Sequence, residues 1–156
     1  MKKKEVFKCR WSHCKHGGEV RLDDAVKDGS SYYHKDCYEE KQNIKRIMDL
    51  YVERVDPKPI FSLLRKTVND LVFKDGFGAD YTLFALRYCL DNGWNIKHIP
   101  ALRYVVRDDK AKAAWERRVT VSNIRPAFDI DTEINLEISQ TIHAPKQRNF
   151  SDILGG

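Results

Sequence analysis

The sequence predicts a mainly helical protein of α+β class, with a small β-hairpin module at its N-terminus. Three observations point there. Apolar residues recur at three- and four-residue spacing between residue 36 and about residue 118, the mark of helices with one buried face. Residues 1–40 hold three of the four cysteines, yet only Val6, Phe7, Val20, Leu22 and Val26 among Ile, Leu, Val and Phe. After residue 119 the helical spacing is lost. The chain therefore divides into a module over 1–40, a helical domain over 36–118 and an extended or mobile C-terminal arm over 119–156.

The first forty residues are too poor in apolar material to be ordered by burial alone. Gly17-Gly18 and Asp28-Gly29 can turn the chain, and Ser30-Ser-Tyr-Tyr-His34 reads as a strand. A helix follows from Asp36 to Val55, with Ile44, Ile47, Met48, Tyr51 and Val55 on one face. Asp56-Pro57-Lys58-Pro59 stops it, because proline has no amide donor and restricts its predecessor. A second helix opens near Pro59 or Ile60 and buries Phe61, Leu64, Val68, Leu71 and Val72. Asp75-Gly-Phe-Gly is a turn. A third helix runs from Asp80, read as its N-cap, to a stop at Asn92-Gly93. Pro100 suits the first turn of a fourth, carrying Leu102, Val105 and Val106. Lys110 to Arg118 forms another, anchored by Trp115. Beyond it, Val119–Ser122 reads as a short strand, and Thr132–Ile142 alternates Ile134, Leu136 and Ile138 with polar neighbours, as a strand or extended arm does.

Composition removes several classes of function. Among 156 residues, 28 Lys and Arg stand against 23 Asp and Glu, a net charge of +5, and no apolar run approaches the length of a membrane span. Met1-Lys-Lys-Lys-Glu lacks the apolar stretch that a signal peptide places after its charges, so a cytoplasmic protein is expected. The glycine-rich run at Asp75 lacks the Lys-Ser/Thr of a phosphate loop, and no nucleophile-elbow pattern is present. Adjacent acids such as Asp23-Asp24 and Asp108-Asp109 diverge on any regular element and make poor metal dyads. No catalysis is expected.

The cysteines and histidines carry the strongest signal. Cys9-Arg-Trp-Ser-His-Cys14 and His34-Lys-Asp-Cys37 are two close pairs of soft or borderline ligands, separated by a hairpin-sized stretch. Tetrahedral zinc takes such a set. Cys37 falls in the first turn of the following helix, where the positive end of the dipole favours a thiolate. Cys9, Cys14, His34 and Cys37 then fill the coordination sphere, and the site is structural: a small zinc-bound β-hairpin module in knuckle–hairpin–helix order, which is treble-clef-like. His13 and His16 stay open as substitute ligands, because four residues between Cys9 and Cys14 exceed the usual two. Iron can occupy a similar thiolate set. Cys89, on a buried-looking helix, reads as a packed thiol.

Tyr32-Tyr-His-Lys-Asp-Cys37-Tyr38, preceded by Leu22-Asp-Asp-Ala-Val-Lys-Asp-Gly29, resembles the first zinc half of LIM-type modules. The chain is also similar, over residues 5 to about 118, to small phage and prophage proteins of Gram-positive bacteria that join such a module to a helical region. Tyr81 to Trp115 further resembles the helical domains of bacterial replication-initiation proteins. These resemblances imply a phage origin, a zinc ion and action in a bacterial host's cytoplasm.

Two functions follow as expectations. In the first, Lys97, Arg103, Arg107 and Lys110 meet the phosphates of a nucleic acid, DNA before RNA, in replication or transcription. Trp94, Tyr104 and Trp115 interleave as stacking or core aromatics, and residues 99–107 form a recognition helix. Lys2-Lys3-Lys4, Lys8, Arg10 and Lys15 add a second positive region. In the second, the zinc module docks on a host protein or the chain assembles as a homo-oligomer, with Phe150-Ser-Asp-Ile-Leu154 as a docking peptide or an arm exchanged between subunits. Trp11 is either the small apolar plug of the zinc module or an exposed contact residue.

Overall fold

The computed structural model describes the backbone of residues 5–139 and the side chains of residues 5–124. It is mainly helical with two small antiparallel hairpins, in agreement with the α+β class. Strand β1 (Val6–Lys8) pairs with β2 (Glu19–Arg21), setting Phe7 opposite Val20. Val20 is buried between exposed neighbours, the period-two pattern of a half-buried strand. Strands β3 (Ala25–Asp28) and β4 (Ser31–His34) form the second hairpin, with Asp28 opposite Ser31. The two-residue turn between them puts Gly29 at φ +61°, which glycine adopts without steric cost.

Helix α1 (Lys35–Arg54) continues directly from β4. Its buried residues, Cys37, Ile44, Ile47 and Tyr51, keep helical spacing, so one face serves the module at its start and the helical core further along. Lys41 holds the β3–β4 hairpin to this helix, donating to Asp28 Oδ2 at 2.9 Å and to the Tyr33 hydroxyl at 3.2 Å. The proline stop acts as the sequence predicts, and the Lys58 amide donates to Asp56 Oδ1 in a tight turn.

Helix α2 (Phe61–Asn69) buries Leu64, Thr67 and Val68, but Phe61 is exposed, against expectation. Pro59 is buried at this end instead. Helix α2 runs into a π-helical turn (Asp70–Lys74), closed by the Asp75 amide donating to the Asp70 carbonyl at 2.8 Å. The wider turn buries the adjacent Leu71 and Val72 together.

Helix α3 (Ala79–Asp91) starts after Gly78, not after Asp80. Gly78 sits at φ +77°, a conformation glycine adopts without steric cost, and the Asp80 carboxylate, already inside the helix, accepts from Asn43 Nδ2 on α1. Arg54 Nη1 donates to Asp91 Oδ1 at 2.6 Å. Both pairs join residues 37 apart in sequence, so α1 and α3 run parallel, with the start of α3 beside the middle of α1 and the last residues of the two helices side by side. Asn92 and Gly93 end α3 as expected, with Gly93 at φ +81°.

A 3-10 turn (Ile99–Ala101) leads into helix α4 (Leu102–Val105), a single turn. Helix α5 (Asp109–Ser139) opens on Asp108, whose Oδ2 accepts the Ala111 amide at 2.8 Å, an N-cap bond. The strand expected at 119–122 and the extended run expected from 132 belong to this helix as far as Ser139. β-Branched residues disfavour a helix by only tenths of a kcal/mol each, and a capped helix gains one hydrogen bond per added residue. The rest of the expected arm, and its Phe150–Leu154 segment, lie outside the described residues, as do Lys2, Lys3 and Lys4.

One continuous core joins α1, α2, α3 and the 99–111 stretch, with Ile47, Leu64, Val68, Leu71, Ala85, Leu86 and Cys89 fully buried. The module has its own small cluster: Cys9, Val20, Tyr33 and Cys37. Residues 1–115 make up one compact unit and residues 116–156 a second, so the module and the helical body share a unit. Among the described residues no helix is long and apolar enough to cross a membrane.

Candidate metal centre

Cys9, Cys14, His34 and Cys37 come together with their ligand atoms all within 4.8 Å of one another, a set able to hold a metal ion. Each arrives from a different local device. Cys9 follows β1, its amide donating to the Gly18 carbonyl at 2.7 Å, and Arg10 N–H reaches the Tyr32 carbonyl on β4 at 3.0 Å. Cys14 ends a turn closed by its amide on the Trp11 carbonyl at 3.2 Å. His34 is the last residue of β4, and Cys37 lies in the first turn of α1.

The distances suit a tetrahedral ion. Metal–sulfur bonds of ~2.3 Å and metal–nitrogen bonds of ~2.0 Å place neighbouring donors about 3.5–3.8 Å apart. His34 Nδ1 lies 3.5 Å from Cys14 Sγ and 3.8 Å from Cys37 Sγ. The ring is oriented from behind: Nε2 is 2.9 Å from the Glu19 carbonyl. A carbonyl only accepts, so Nε2 carries the proton and Nδ1 keeps its lone pair for the cluster. His34 also occupies the N-cap position of α1 without capping it, its ring being committed to the site.

The thiols are unequal. Burial works to raise the Cys14 thiol, but the His16 and Gly18 amides and the Cys9 and Cys37 thiols outweigh it and bring it down to about 7. Burial, reinforced by Cys14, pushes Cys37 up to about 12. Of these two thiols, Cys14 is the more readily ionised.

His13 and His16, both possible substitutes by sequence, have other partners. His13 stacks on Phe73 at 3.7 Å between centroids. His16 Nε2 meets Asp36 Oδ2 at 2.5 Å, which raises the imidazole above its usual range and lowers the carboxyl below its own. Together with Cys37, His16 and Asp36 also come close enough to form a second, more exposed group of possible ligands.

Trp11, between the two knuckle cysteines, packs inward as the plug reading expects, and is not an exposed contact residue. It is half-buried against the module cluster and against the helical core, and its Nε1–H donates to Glu40 Oε2 on α1 at 2.8 Å. The loop between Cys9 and Cys14 thus holds the module onto the helices through Trp11, His13 and Phe73. Nothing in the sequence marked Glu40, Phe73 or the Glu19 carbonyl, because each acts only across the fold.

The residues expected to meet phosphates each fall on a different piece of backbone. Arg103 is on α4, Arg107 follows it, Lys110 is on α5 and Lys97 precedes the 3-10 turn. The expected recognition helix over 99–107 is a 3-10 turn followed by a single α-turn, so the basic positions share no helical stripe. Arg103 Nη2 lies 3.6 Å from Asp70 and Arg107 Nη2 3.8 Å from Asp75. Lys97 and Lys110 are exposed. Trp94 and Tyr104 are also exposed, Tyr104 at 72%, whereas Trp115 packs on the core. Cys89 is a buried thiol as expected, raised to about 11 chiefly by burial.

Compared with protein-family models, with curated proteins and with solved structures, the chain matches none.

Proposed function

We propose that Cys9, Cys14, His34 and Cys37 hold one zinc ion at a structural site in a treble-clef-like module, and that the chain is a non-catalytic module that docks on a protein. Supporting the metal, three thiols and one correctly protonated imidazole supply all four positions of a tetrahedron, which leaves no place for substrate or activated water. Zinc accepts this mixed sulfur–nitrogen set without geometric preference of its own, and iron is the alternative occupant. The knuckle–hairpin–helix order of the elements fits the same reading.

The observation that favours a protein partner is the engagement of Arg103 and Arg107 with Asp70 and Asp75. A phosphate approaching either guanidinium also meets the paired carboxylate. Exposed Ile60, Phe61 and Leu63 on and before α2 add apolar surface that a protein partner covers and a phosphate backbone does not.

A nucleic-acid partner, DNA before RNA, is the second reading. Exposed Trp94 and Tyr104, together with Lys97 and Lys110, which are exposed and carry no ion pair among the described residues, favour it. Fluorescence anisotropy of labelled DNA and RNA, duplex and single-stranded, titrated with zinc-loaded protein at two salt concentrations decides between them. The protein-docking reading expects flat curves. Submicromolar binding that falls steeply with salt, and that Arg103→Ala with Arg107→Ala weakens, overturns it.

A further inference from the structure

A cleft of about 400 Å³ opens within the 1–115 unit, where the start of α1 faces the start of α3. That volume lies in the ordinary range for ligand sites. Its chemistry is lopsided. Asp36, Glu39, Glu40 and Asp80 contribute four carboxylates to the lining, against Lys15 and the His13 imidazole. Phe77 and Trp115 supply aromatic wall, and the buried Tyr81 stands edge-on to Trp115 at 5.9 Å. The parallel packing of α1 and α3 brings these acids to one end of the helix pair.

Three carboxylates have partners: Asp36 with His16, Glu40 with Trp11 and Lys15, Asp80 with Asn43. Glu39 is exposed and carries no hydrogen bond or ion pair among the described residues. Each partnered carboxylate retains further lone-pair sites, since an ionised carboxylate accepts up to about four hydrogen bonds. The chain as a whole is at +5, whereas the lining of this cleft carries more acidic than basic side chains. Such a place repels phosphate and selects a cation at short range.

We propose that this cleft receives an arginine side chain from a basic, flexible segment of a partner protein. The proposal rests on the protein-docking reading and names the chemistry of the partner. A guanidinium fits the lining on two counts. Its flat face stacks on aromatic rings, here Phe77 and Trp115. Its five N–H donors lie in the plane and reach carboxylates at the rim, with Glu39 the one ready to accept without exchange of partner. A metal cation fits less well, because the aromatic wall offers it no ligand. A lysine satisfies the charge but not the stacking plane.

The experiment uses the full-length, zinc-loaded, 15N-labelled protein. It is titrated with a peptide of three arginines spaced by glycines, and with counterparts carrying lysine or the neutral isostere citrulline. The arginine peptide is expected to shift the amides of Asp36, Glu39, Gly78 and Ala79 and the indole N–H of Trp115. Lysine should bind several-fold more weakly, and citrulline should not bind. Glu39→Gln, on an exposed position that leaves the fold intact, should weaken the arginine peptide about five- to tenfold. Asp80→Asn, which keeps a hydrogen-bond acceptor for Asn43, should weaken it in the same direction. Shifts confined to other surfaces, equal binding of citrulline, an unchanged affinity in Glu39→Gln, or no shifts at all each overturn the proposal. A flat peptide titration beside flat nucleic-acid titrations removes the arginine site and leaves protein docking through another surface. Salt-steep nucleic-acid binding removes the docking reading itself.

Discussion

The Nε2–H of His34 donates to the main-chain carbonyl of Glu19 across 2.9 Å, and this bond leaves Nδ1 as the ring nitrogen that meets the cysteines. Because the acceptor belongs to the backbone of β2, no substitution at position 19 short of a change in strand geometry removes it. The His34 tautomer is therefore built into the pairing of β1 with β2. In the zinc-loaded protein, long-range 15N–1H spectra of His34 should show Nε2 protonated and Nδ1 without a proton. His34→Ala should lower zinc affinity by at least about tenfold, in keeping with the loss of a ligand and its outer partner.

Trp11 joins the module to the helices by two separable means, packing on Phe73 and donating to Glu40. Trp11→Phe keeps most of the packing and removes the donor, and is expected to cost about 1 kcal/mol. Trp11→Ala removes both and should cost about 3 kcal/mol. Urea unfolding of the zinc-loaded variants measures both values. Equal losses would show that the Glu40 bond carries the whole effect.

Removal of the metal should have an uneven result. The module's buried cluster amounts to Cys9, Val20, Tyr33 and Cys37, two of which belong to the thiol set. The helical core owes nothing to those side chains. A strong chelator should erase the NMR dispersion of residues 5–34 while most of the far-ultraviolet helical signal survives. Loss of the helical signal together with the module would mean that the two fold as one metal-dependent unit.

Cys89 supplies a pH dependence of known sign. Burial holds its thiol up at about 11, above the ordinary range near 9, so the folded state favours the neutral form. That contribution is fully present below about pH 9 and is lost as pH rises toward 11. Zinc-loaded wild type should lose more stability than Cys89→Ala over that interval, the difference being on the order of 2 kcal/mol. Below pH 9 the thiol should resist alkylation unless the protein is unfolded.

Much of this arrangement is legible in the sequence because it rests on local chemistry. Short spacings announce the four donors, since a metal needs them regardless of the surrounding fold. Proline, Asn92-Gly93 and helical periodicity mark the middle helices. What stays hidden depends on long-range packing. The π-turn at Asp70–Lys74 shifts the buried face without leaving a breaker residue, and Phe61 follows the helical stripe yet lies exposed. The strand-like alternation after residue 119 competes with continuation of α5 and loses as far as Ser139. The acidic cleft is illegible for a simpler reason: Glu39, Asp80 and Trp115 are far apart in sequence, on three different helices, and line one cleft only in the fold.

The central claim is a single structural zinc held by Cys9, Cys14, His34 and Cys37. Native mass spectrometry of the full chain, purified without added metal, tests it most directly. One zinc per chain, absent in Cys14→Ser and in Cys37→Ser while other surface variants keep it, is the predicted result. A metal-free wild-type chain that gives the same folded NMR spectrum, or zinc retained by both variants, would contradict it.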